Sequence, residues 1–461
     1  MSRLAAAFAL LTFPACASQA LSADPVTPLV IEHVTVLPMT VEGKPIADAT
    51  VTVRDGRIVS IVSGREPALR GAKRINGRGK FLTPGFSDMH MHLENDRAMR
   101  IWTGDKTLPD GFVKLEDVLT PYIANGVTQI FTLTAMSETI GQRADVESGR
   151  VLGPHIATAA LIDGSPPMWP PGMSRVAATP EDGRQAVRDA SAEGYEFIKV
   201  YSKLTLETFT AIVDEARKHH MRVVGHIPER EKNLTEKFFQ PGFDLVAHAE
   251  EFAQQTQPPA MDAIPRYVEM TRRNGTWLTA TLSLDERIVE EVRDPASLEA
   301  RPEMRYLLPG EYQVVLHDNP YLKKRGADYV TYVQNVVDFN RGLVKAFVAA
   351  GIPVLTGTDA PVPGLVPGFS LHDEFDALVR AGMSNRQVLE ATTRLPAEWL
   401  GTMGDRGTIE AGKRADLVLL DANPLEDIAN TRRIAAVIVN GRYLSRAELD
   451  ERMKVLAERN K

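Results

Sequence analysis

Residues 81–92 read Phe-Leu-Thr-Pro-Gly-Phe-Ser-Asp-Met-His-Met-His, and the prediction of the fold begins with this segment. Its apolar residues predict a β-strand over Phe81 to His90 that is buried in the protein. Side chains alternate between the two faces of a strand, so His90 and His92 point to the same side where the strand ends. Packing explains such a pair less well than a single histidine, and we interpret both residues as metal ligands.

Seven further short apolar segments follow this one, and amphipathic helices are predicted between them. In Thr205 to His219, for example, apolar residues recur at the spacing of one helix face. Strands that alternate with helices are typical of parallel βα units, and eight strands predict a closed (β/α)8 barrel. The remaining predicted strands are Val127 to Phe131, Ile156 to Ile162, Phe197 to Tyr201, Val223 to His226, Leu245 to His248, Trp277 to Leu282 and Val354 to Asp359.

The two ends of the chain carry a different pattern. Short alternating strands occur between Pro28 and Gly79, with Asp55-Gly56 as a hairpin turn, and the same style returns in residues 415–442. We expect both ends to pair into one small β-sandwich domain beside the barrel, which makes this an α/β protein. The predicted division is 24–81 with 402–446 for the β-sandwich, 82–401 for the barrel and 447–461 for a helical tail.

One connection within the barrel is unusually long. Residues 283–326 follow the seventh predicted strand, whereas connections in compact domains have a median of about 4 to 6 residues. Long connections on the functional face of a barrel are often lids. A surface insertion with its own short helices is an equally good interpretation, and both stay open.

Composition excludes several classes of function. The 461 residues include 53 Lys and Arg and 60 Asp and Glu, which gives a net charge of −7 with both signs scattered, so nucleic-acid binding is not expected. The one cysteine, Cys16, excludes a disulfide framework and a zinc site built on cysteine ligands. After the first residues, no segment reaches about 18 uninterrupted apolar residues, so no stable membrane insertion of the mature chain is expected.

The first residues resemble a secretion signal. A short basic start, Met1-Ser2-Arg3, precedes a mostly apolar run from Leu4 to Ala15, which is too short to span a bilayer of roughly 30 Å. Small residues follow, so residues 1–23 are predicted to be a signal peptide and the protein to be secreted or periplasmic. Lipid attachment at Cys16 is the less favoured alternative, because the preceding residues match lipoprotein processing poorly. The oligomeric state stays open, with a homo-oligomer as one alternative.

Three more candidate ligands end predicted strands. His226, His248 and Asp359 each follow an apolar segment, and barrel enzymes place their chemistry at the C-terminal ends of their strands. A buried imidazole or carboxylate without a partner costs several kcal/mol, a cost that coordination of a metal removes. Together with the first histidine pair, these residues suit Zn²⁺ or a similar ion.

Lys199 is unusual because it lies within the predicted strand Phe197 to Tyr201. The simplest interpretation is a lysine whose ammonium group reaches the solvent. Burial would instead lower the pKa of the amine. A neutral amine reacts with carbon dioxide to give a carbamate, whose two oxygens are enough to bridge two metal ions.

With these positions, the chain resembles the amidohydrolase superfamily, and in its later segments the imidazolonepropionase-like branch. That branch includes carboxylated-lysine Xaa-Pro dipeptidases and ochratoxin-type amidases. The matching segments are Pro84 to His92, Lys199, His226, His248, Gly357-Thr358-Asp359-Ala360, Gly368-Phe369-Ser370-Leu371-His372-Asp373-Glu374, Ala381-Gly382-Met383-Ser384 and Gly407 to Val418.

The resemblance implies a binuclear site with two divalent ions, Zn²⁺ being the first choice. His90, His92 and Asp359 would bind one ion, His226 and His248 the other, and Lys199, as N6-carboxylysine, would bridge them. Imidazolonepropionases and related deaminases use one metal and lack this lysine, so Lys199 argues against both activities. The loop Asp163 to Pro171 differs from the Gly-Gly-His loop of the dipeptidases, which leaves the substrate open.

The expected reaction is hydrolysis of an amide bond in a small substrate, such as a dipeptide or an N-acyl amino acid. A hydroxide shared by the two ions would attack, and Asp359 would be the catalytic residue that carries the proton to the leaving nitrogen. Tyr201 and His372 are predicted to bind a substrate carboxylate. Tyr201 could instead donate to the developing oxyanion, and a buried structural tyrosine is the other alternative. Hydrolysis of a lactone, ester or phosphoester at the same site is the alternative, and a non-catalytic binding protein is a third.

Overall fold

The computed structural model describes residues 27–64, 66, 69–93, 113–169 and 172–460. The predicted signal peptide at residues 1–23 lies outside the described residues. Two sheets organise the described chain, one around the middle of the sequence and one from its two ends. The predicted site lies in the part of the chain that forms the middle sheet.

Eight parallel strands follow each other around the middle sheet in chain order. The barrel closes between its last and first strands, where Met89 N–H donates to the Thr356 carbonyl at 2.9 Å and Thr358 N–H to the His90 carbonyl at 3.0 Å. The predicted (β/α)8 barrel is therefore confirmed. Its strands are β6 (Phe86–Met91), β7 (Val127–Thr132), β8 (His155–Asp163), β10 (Phe197–Val200), β11 (Arg222–Gly225), β12 (Phe243–Ala247), β13 (Trp277–Thr279) and β14 (Val354–Leu355), with the short β9 (Arg175–Val176) beside β8.

The strand predicted over Phe81 to His90 is in fact two strands. β5 (Phe81–Pro84) pairs in the end sheet, and β6 pairs with β7 in the barrel. Gly85 separates them where the chain passes against Thr128, whose Oγ1 would lie 2.0 Å from a Cβ at this position. A sequence pattern of apolar residues does not reveal this change of sheet, because both strands are buried.

Helices cover the outside of the barrel. In α4 (Leu206–Lys218), Phe209, Ile212 and Val213 are fully buried, as the predicted apolar face requires. The other helices are α1 (Leu115–Ala124), α2 (Ser137–Glu147), α3 (Pro180–Glu193), α5 (Thr235–Phe238), α6 (Glu250–Ala253), α7 (Ile264–Asn274), α8 (Leu282–Arg293), α9 (Ala296–Glu299), α10 (Pro309–Gln313), α11 (Pro320–Lys323), α12 (Ala327–Ala349), α13 (Phe369–Arg380), α14 (Asn385–Thr392), α15 (Arg394–Trp399) and α16 (Arg446–Arg459).

Strands from both chain ends form one eight-stranded sheet with its own hydrophobic core, so the second β domain is observed. Leu29 and Val51 from the first end share that core with Leu417 and Ile438 from the second. The strands are β1 (Leu29–Val36), β2 (Ile46–Arg54), β3 (Arg57–Ser63), β4 (Lys73–Asn76), β5, β15 (Leu417–Leu420), β16 (Ile434–Val439) and β17 (Arg442–Ser445).

The long connection after β13 is helical. It runs through α8, α9, a 3-10 helix over Pro302–Tyr306, α10, a π-helical turn over Val314–Asp318 and α11. Hydrophobic residues of α8 and α12, among them Ile288 and Val333, pack together in a cluster of their own. Within the described residues, no helix has both the length and the apolar character needed to cross a membrane.

Candidate metal centre

His90 and Asp359 are brought together where the barrel closes. Gly357 allows this approach, because a Cβ there would lie 2.8 Å from the His90 Cβ and 2.4 Å from Thr279. Asp359 follows β14 with a φ of 67° and His248 follows β12 with a φ of 82°, both in the left-handed region that L residues rarely adopt. Backbone strain of this kind is concentrated at functional sites.

The structure places all six predicted ligands at the mouth of the barrel. Asp359 Oδ1 lies 2.7 Å from His92 Nε2 and 3.1 Å from His90 Nε2. Lys199 Nζ lies 3.4 Å from His90 Nε2. The potential ligand atoms of His90, His248 and Asp359 all lie within 4.8 Å of one another, so these three residues could hold a metal ion. The His226 ring lies beside that of His248, with centroids 5.1 Å apart.

Three of the histidines are oriented by a partner at Nδ1. The His226 Nδ1 lies 2.7 Å from Glu251 Oε1, and the His248 Nδ1 lies 2.9 Å from Thr281 Oγ1. The His92 Nδ1 lies 2.5 Å from Thr134 Oγ1. Such contacts fix the ring and leave Nε2 for a metal.

The Nε2 of His226 is the ring nitrogen that Glu251 does not hold. It is buried and has no hydrogen-bond partner among the described residues. A buried polar atom in this state requires an explanation. Because the donor set consists of imidazole nitrogens, a carboxylate and an amine, the residues fit a divalent ion such as Zn²⁺.

Burial and charge also set the protonation states that a metal needs. Burial lowers the pKa of His90 to about 3 and lowers that of His248 well below its usual 6.5. Burial raises the pKa of Asp359, but the nearby His90 and His248 outweigh it and hold this pKa well below 3.8. His90 and His248 are therefore neutral and Asp359 is ionised at neutral pH, as metal binding requires.

Lys199 lies on β10 and is only 2% exposed, so the interpretation as a solvent-reaching lysine is wrong. Its Nζ lies 5.4 Å from the centroid of the Tyr201 ring. Lys199 therefore lies buried beside the histidine cluster, in contact with His90.

A cavity of about 560 Å³ opens above the cluster. Tyr201 is buried in its wall, with its ring centroid 4.0 Å from that of His226. Met168 and Trp169 of the proline-rich loop line one side. The connection after β13 and the following helix α12 supply much of the other side, including Leu284, Asp285, Ile288, Tyr321, Lys324, Tyr329, Tyr332, Val333 and Val336. The long connection thus forms a wall of the cavity.

His372 does not belong to this cavity. It lies in α13 with its ring against Phe86 and Phe375, and it is 1% exposed. Its Nδ1 lies 2.9 Å from Thr431 Oγ1 and its Nε2 lies 3.1 Å from the Asn125 carbonyl. Both ring nitrogens are engaged in holding α13 in place, so a substrate contact in the cavity is not available to His372.

Three acidic residues of the mouth were not found from the sequence. Glu251 orients His226, and it also accepts a hydrogen bond from Ile227 N–H at 2.8 Å. Glu250 and Asp285 share a hydrogen bond, and burial raises the pKa of Asp285 to about 7. The signal for the two glutamates was their position directly after His248 at a strand end. Asp285 carried no such signal, because it lies in the long connection.

Comparison with known proteins identifies a family that the sequence matches. The sequence profile of the amidohydrolase family matches residues 81–444. An imidazolonepropionase of Thermoanaerobacter pseudethanolicus is 23% identical over 411 residues, which are 83% of this chain and 86% of that protein. An imidazolonepropionase of Shouchella clausii is 43% identical over 79 residues, so that this match spans 17% of either protein.

Two further relatives cover most of the chain. The ochratoxinase of Aspergillus niger is 22% identical over 426 residues, which are 84% of this chain and 80% of that protein. The crystal structure of a Xaa-Pro dipeptidase with methionine bound in its active site superposes with a TM-score of 0.68 at 18% identity, covering 91% of this chain and 100% of that one. At this identity the superposition shows a shared fold.

Proposed function

The chain belongs to the amidohydrolase family, and from that premise we propose that it is a binuclear metal-dependent hydrolase that cleaves the amide bond of small substrates, such as dipeptides or N-acyl amino acids. The observation that carries the proposal is the buried cluster of His90, His248 and Asp359 at the barrel mouth. Beside it, the Nε2 of His226 has no hydrogen-bond partner in the part of the chain that the structure describes. The family match and the relative named ochratoxinase support the proposal.

The six clustered residues would hold two divalent ions. His90, His92 and Asp359 would bind one ion, and His226 and His248 the other. Lys199 lies 3.4 Å from His90 and is buried, so its carboxylated form would bridge the two. When bound, such ions would lower the pKa of a water molecule to about 7 and polarise the scissile carbonyl.

Asp359 is the residue that would move the proton. Its carboxylate is ionised, because the surrounding histidines hold its pKa low. It lines the cavity, where a bound substrate would lie. Asp359 would accept the proton of the attacking water and donate it to the leaving nitrogen, so that the amine leaves in a stable form.

The size and walls of the cavity support a small substrate with a hydrophobic side chain. A volume of about 560 Å³ is suited to a molecule of dipeptide size. Met168, Leu284, Ile288 and Val333 give it apolar walls, which favours a hydrophobic side chain on the substrate. The hydroxyl of Tyr201 would donate to the free carboxylate of the substrate or to the developing oxyanion.

Two measurements test the proposal. Elemental analysis of metal-replete protein should find about two divalent ions per chain, and a reproducible single ion would contradict the binuclear centre. A hydrophobic dipeptide should then be cleaved faster than its C-terminal amide. Tyr201→Phe should remove about 1.5 to 3 kcal/mol of this preference, the usual contribution of a hydrogen bond to a charged group.

The matched control is Tyr267→Phe, which removes the hydroxyl of a buried tyrosine outside the cavity. It should leave the preference unchanged. If wild-type protein cleaves the amide as well as the free acid, recognition of a carboxylate is wrong. Faster hydrolysis of lactones or esters than of any amide would favour the alternative reaction at the same site.

A further inference from the structure

The loop that follows β8 is fastened by one carboxylate. Asp163 ends β8 and is fully buried. Its Oδ1 accepts hydrogen bonds from Gly164 N–H and from Lys203 N–H, both at 2.8 Å, and its Oδ2 accepts one from Met168 N–H at 2.7 Å. The donors lie on two different loops, because Lys203 belongs to the loop after β10.

The same two loops touch directly beside this carboxylate. A Cβ on Gly164 would lie 1.9 Å from the Lys203 carbonyl oxygen and 2.8 Å from Leu204 N. No side chain fits in this space, so glycine is required for the close approach of the two backbones. Arg230, on the loop after β11, donates to the Ser165 carbonyl at 3.1 Å and ties a third loop to the same place.

These loops carry the aromatic side of the cavity. Trp169 follows Met168, whose N–H is held by Asp163, and Tyr201 lies two residues before Lys203, whose N–H is held as well. The two rings have centroids 6.1 Å apart and are joined by a hydrogen bond between their side chains. Both line the cavity. Asp163 therefore determines the positions of Trp169 and Tyr201 through the two loops that it holds.

We propose that Asp163 is a positioning residue, whose carboxylate joins the loop after β8 to the loop after β10 and so sets the Trp169–Tyr201 wall of the cavity. That this wall faces a substrate rests on the proposed function. Asp163 itself does not line the cavity, so it acts through the two aromatic residues.

A spectroscopic experiment tests the positioning without any substrate. The chain has four tryptophans, and 5-fluorotryptophan labelling gives one ¹⁹F signal for each, with Trp169→Phe assigning the signal of Trp169. Asp163→Asn replaces a carboxylate oxygen by an amide nitrogen, which cannot accept the N–H groups that face it. The Trp169 signal should shift or broaden, whereas those of Trp277 and Trp399 should stay unchanged.

Two more variants make the result decisive. Gly164→Ala, which forces the same loops apart, should change the Trp169 signal in the same way. Asp416→Asn is the matched control, because Asp416 is also a buried carboxylate that accepts a backbone N–H, from Asn440 at 2.7 Å, but lies outside the cavity. An unchanged Trp169 signal in Asp163→Asn, or an equal change in Asp416→Asn, would overturn the proposal.

Kinetics separates this proposal from the proposed function. With an amide that the wild type hydrolyses, Asp163→Asn should raise KM about tenfold and change kcat less than about threefold, since it displaces binding groups and leaves the metal ligands in place. Wild-type protein without amidase activity would contradict the proposed function alone, and the ¹⁹F result would still decide the role of Asp163. Hydrolysis by the wild type with an unchanged KM in Asp163→Asn would contradict the positioning role alone.

Discussion

The barrel has a cluster of histidines and carboxylates at each of its two ends. The two clusters differ in whether the histidine ring nitrogens have hydrogen-bond partners. At the base, His155 begins β8 and is 2% exposed. Its Nδ1 lies 2.6 Å from Glu147 and its Nε2 lies 2.9 Å from Asp416. At the mouth, the Nδ1 of His226 is held by Glu251, and its Nε2 has no partner among the described residues.

The difference distinguishes a structural ion pair from the candidate metal site. Burial lowers the pKa of His155, but the charge of Asp416 and hydrogen bonds to both carboxylates raise it above 6.5 overall. At the mouth, burial wins and the pKa of His90 falls to about 3. At the base, the pKa of His155 is raised and both of its ring nitrogens lie beside carboxylates. At the mouth, the pKa values of His90 and His248 are lowered, and potential ligand atoms of these two residues and of Asp359 lie within 4.8 Å of one another.

The largest effect is expected from removing the central amine of the mouth. Lys199→Ala should lose metal and activity together, with kcat/KM falling by more than about a thousandfold, because the attacking water returns toward its unperturbed pKa. Elemental analysis and a hydrolysis assay measure both. Added short carboxylates should restore part of the activity, since they can occupy the position of the bridging group. Full metal content with normal activity would show that Lys199 is not a ligand.

The base should respond in stability and not in metal content. His155→Leu leaves Asp416 buried without its partner, which should lower the free energy of unfolding by about 3 to 5 kcal/mol, as measured by urea unfolding. Metal content and kcat/KM of the folded protein should stay at the wild-type level.

A second substitution checks the cause of this loss. When Asp416→Leu is added to His155→Leu, part of the lost stability should return, because the unpaired charge is then gone. The single variant Asp416→Leu completes the comparison. If the double variant loses as much unfolding free energy as the two single variants together, the ion pair does not explain the stability of the base.

The strand-end rule explains which part of the site could be predicted. Candidate ligands at the C-terminal ends of barrel strands, such as His226 and His248, are visible in a sequence because the apolar strand before them is regular. His155 begins a strand, so its role depends on Asp416, which is 261 residues away along the chain. No local pattern records that distance.

The remaining errors have the same physical origin. Asp285 and the other wall residues of the long connection become neighbours of the cluster only through the packing of α8 against α12. His372 lies in a segment that matches the family, but the buried face of α13 turns it toward Phe86. A sequence motif identifies such a residue and does not show which way its helix faces.

A smaller effect is expected from the residue that orients His226. Glu251→Gln weakens the contact to the His226 Nδ1, and loss of such an outer partner typically costs about 10 to 100-fold in metal affinity or activity. Competition with a chelator measures the affinity. The matched control is Glu229→Gln, a glutamate of the same cavity that pairs with Lys203 at 2.7 Å. An equal loss in both variants would mean that the charge of the cavity, and not the orientation of His226, is responsible.

The smallest effect is a pH dependence that belongs to the base alone. The pKa of folded His155 lies above 6.5, so its charged form stabilises the fold fully below pH 6.5, and this contribution is lost as the pH rises through the raised pKa. Asp416 and Glu147 have lowered pKa values, so their contribution is present above about pH 4.5 and is lost only in acid. The difference in unfolding free energy between wild type and His155→Leu should therefore be largest near pH 6 and smaller at pH 9. Urea unfolding of both proteins at these two pH values measures this difference. The titratable groups at the mouth of the barrel contribute equally to both proteins, so their contribution cancels in the difference. A difference that grows toward pH 9 would contradict a charged His155.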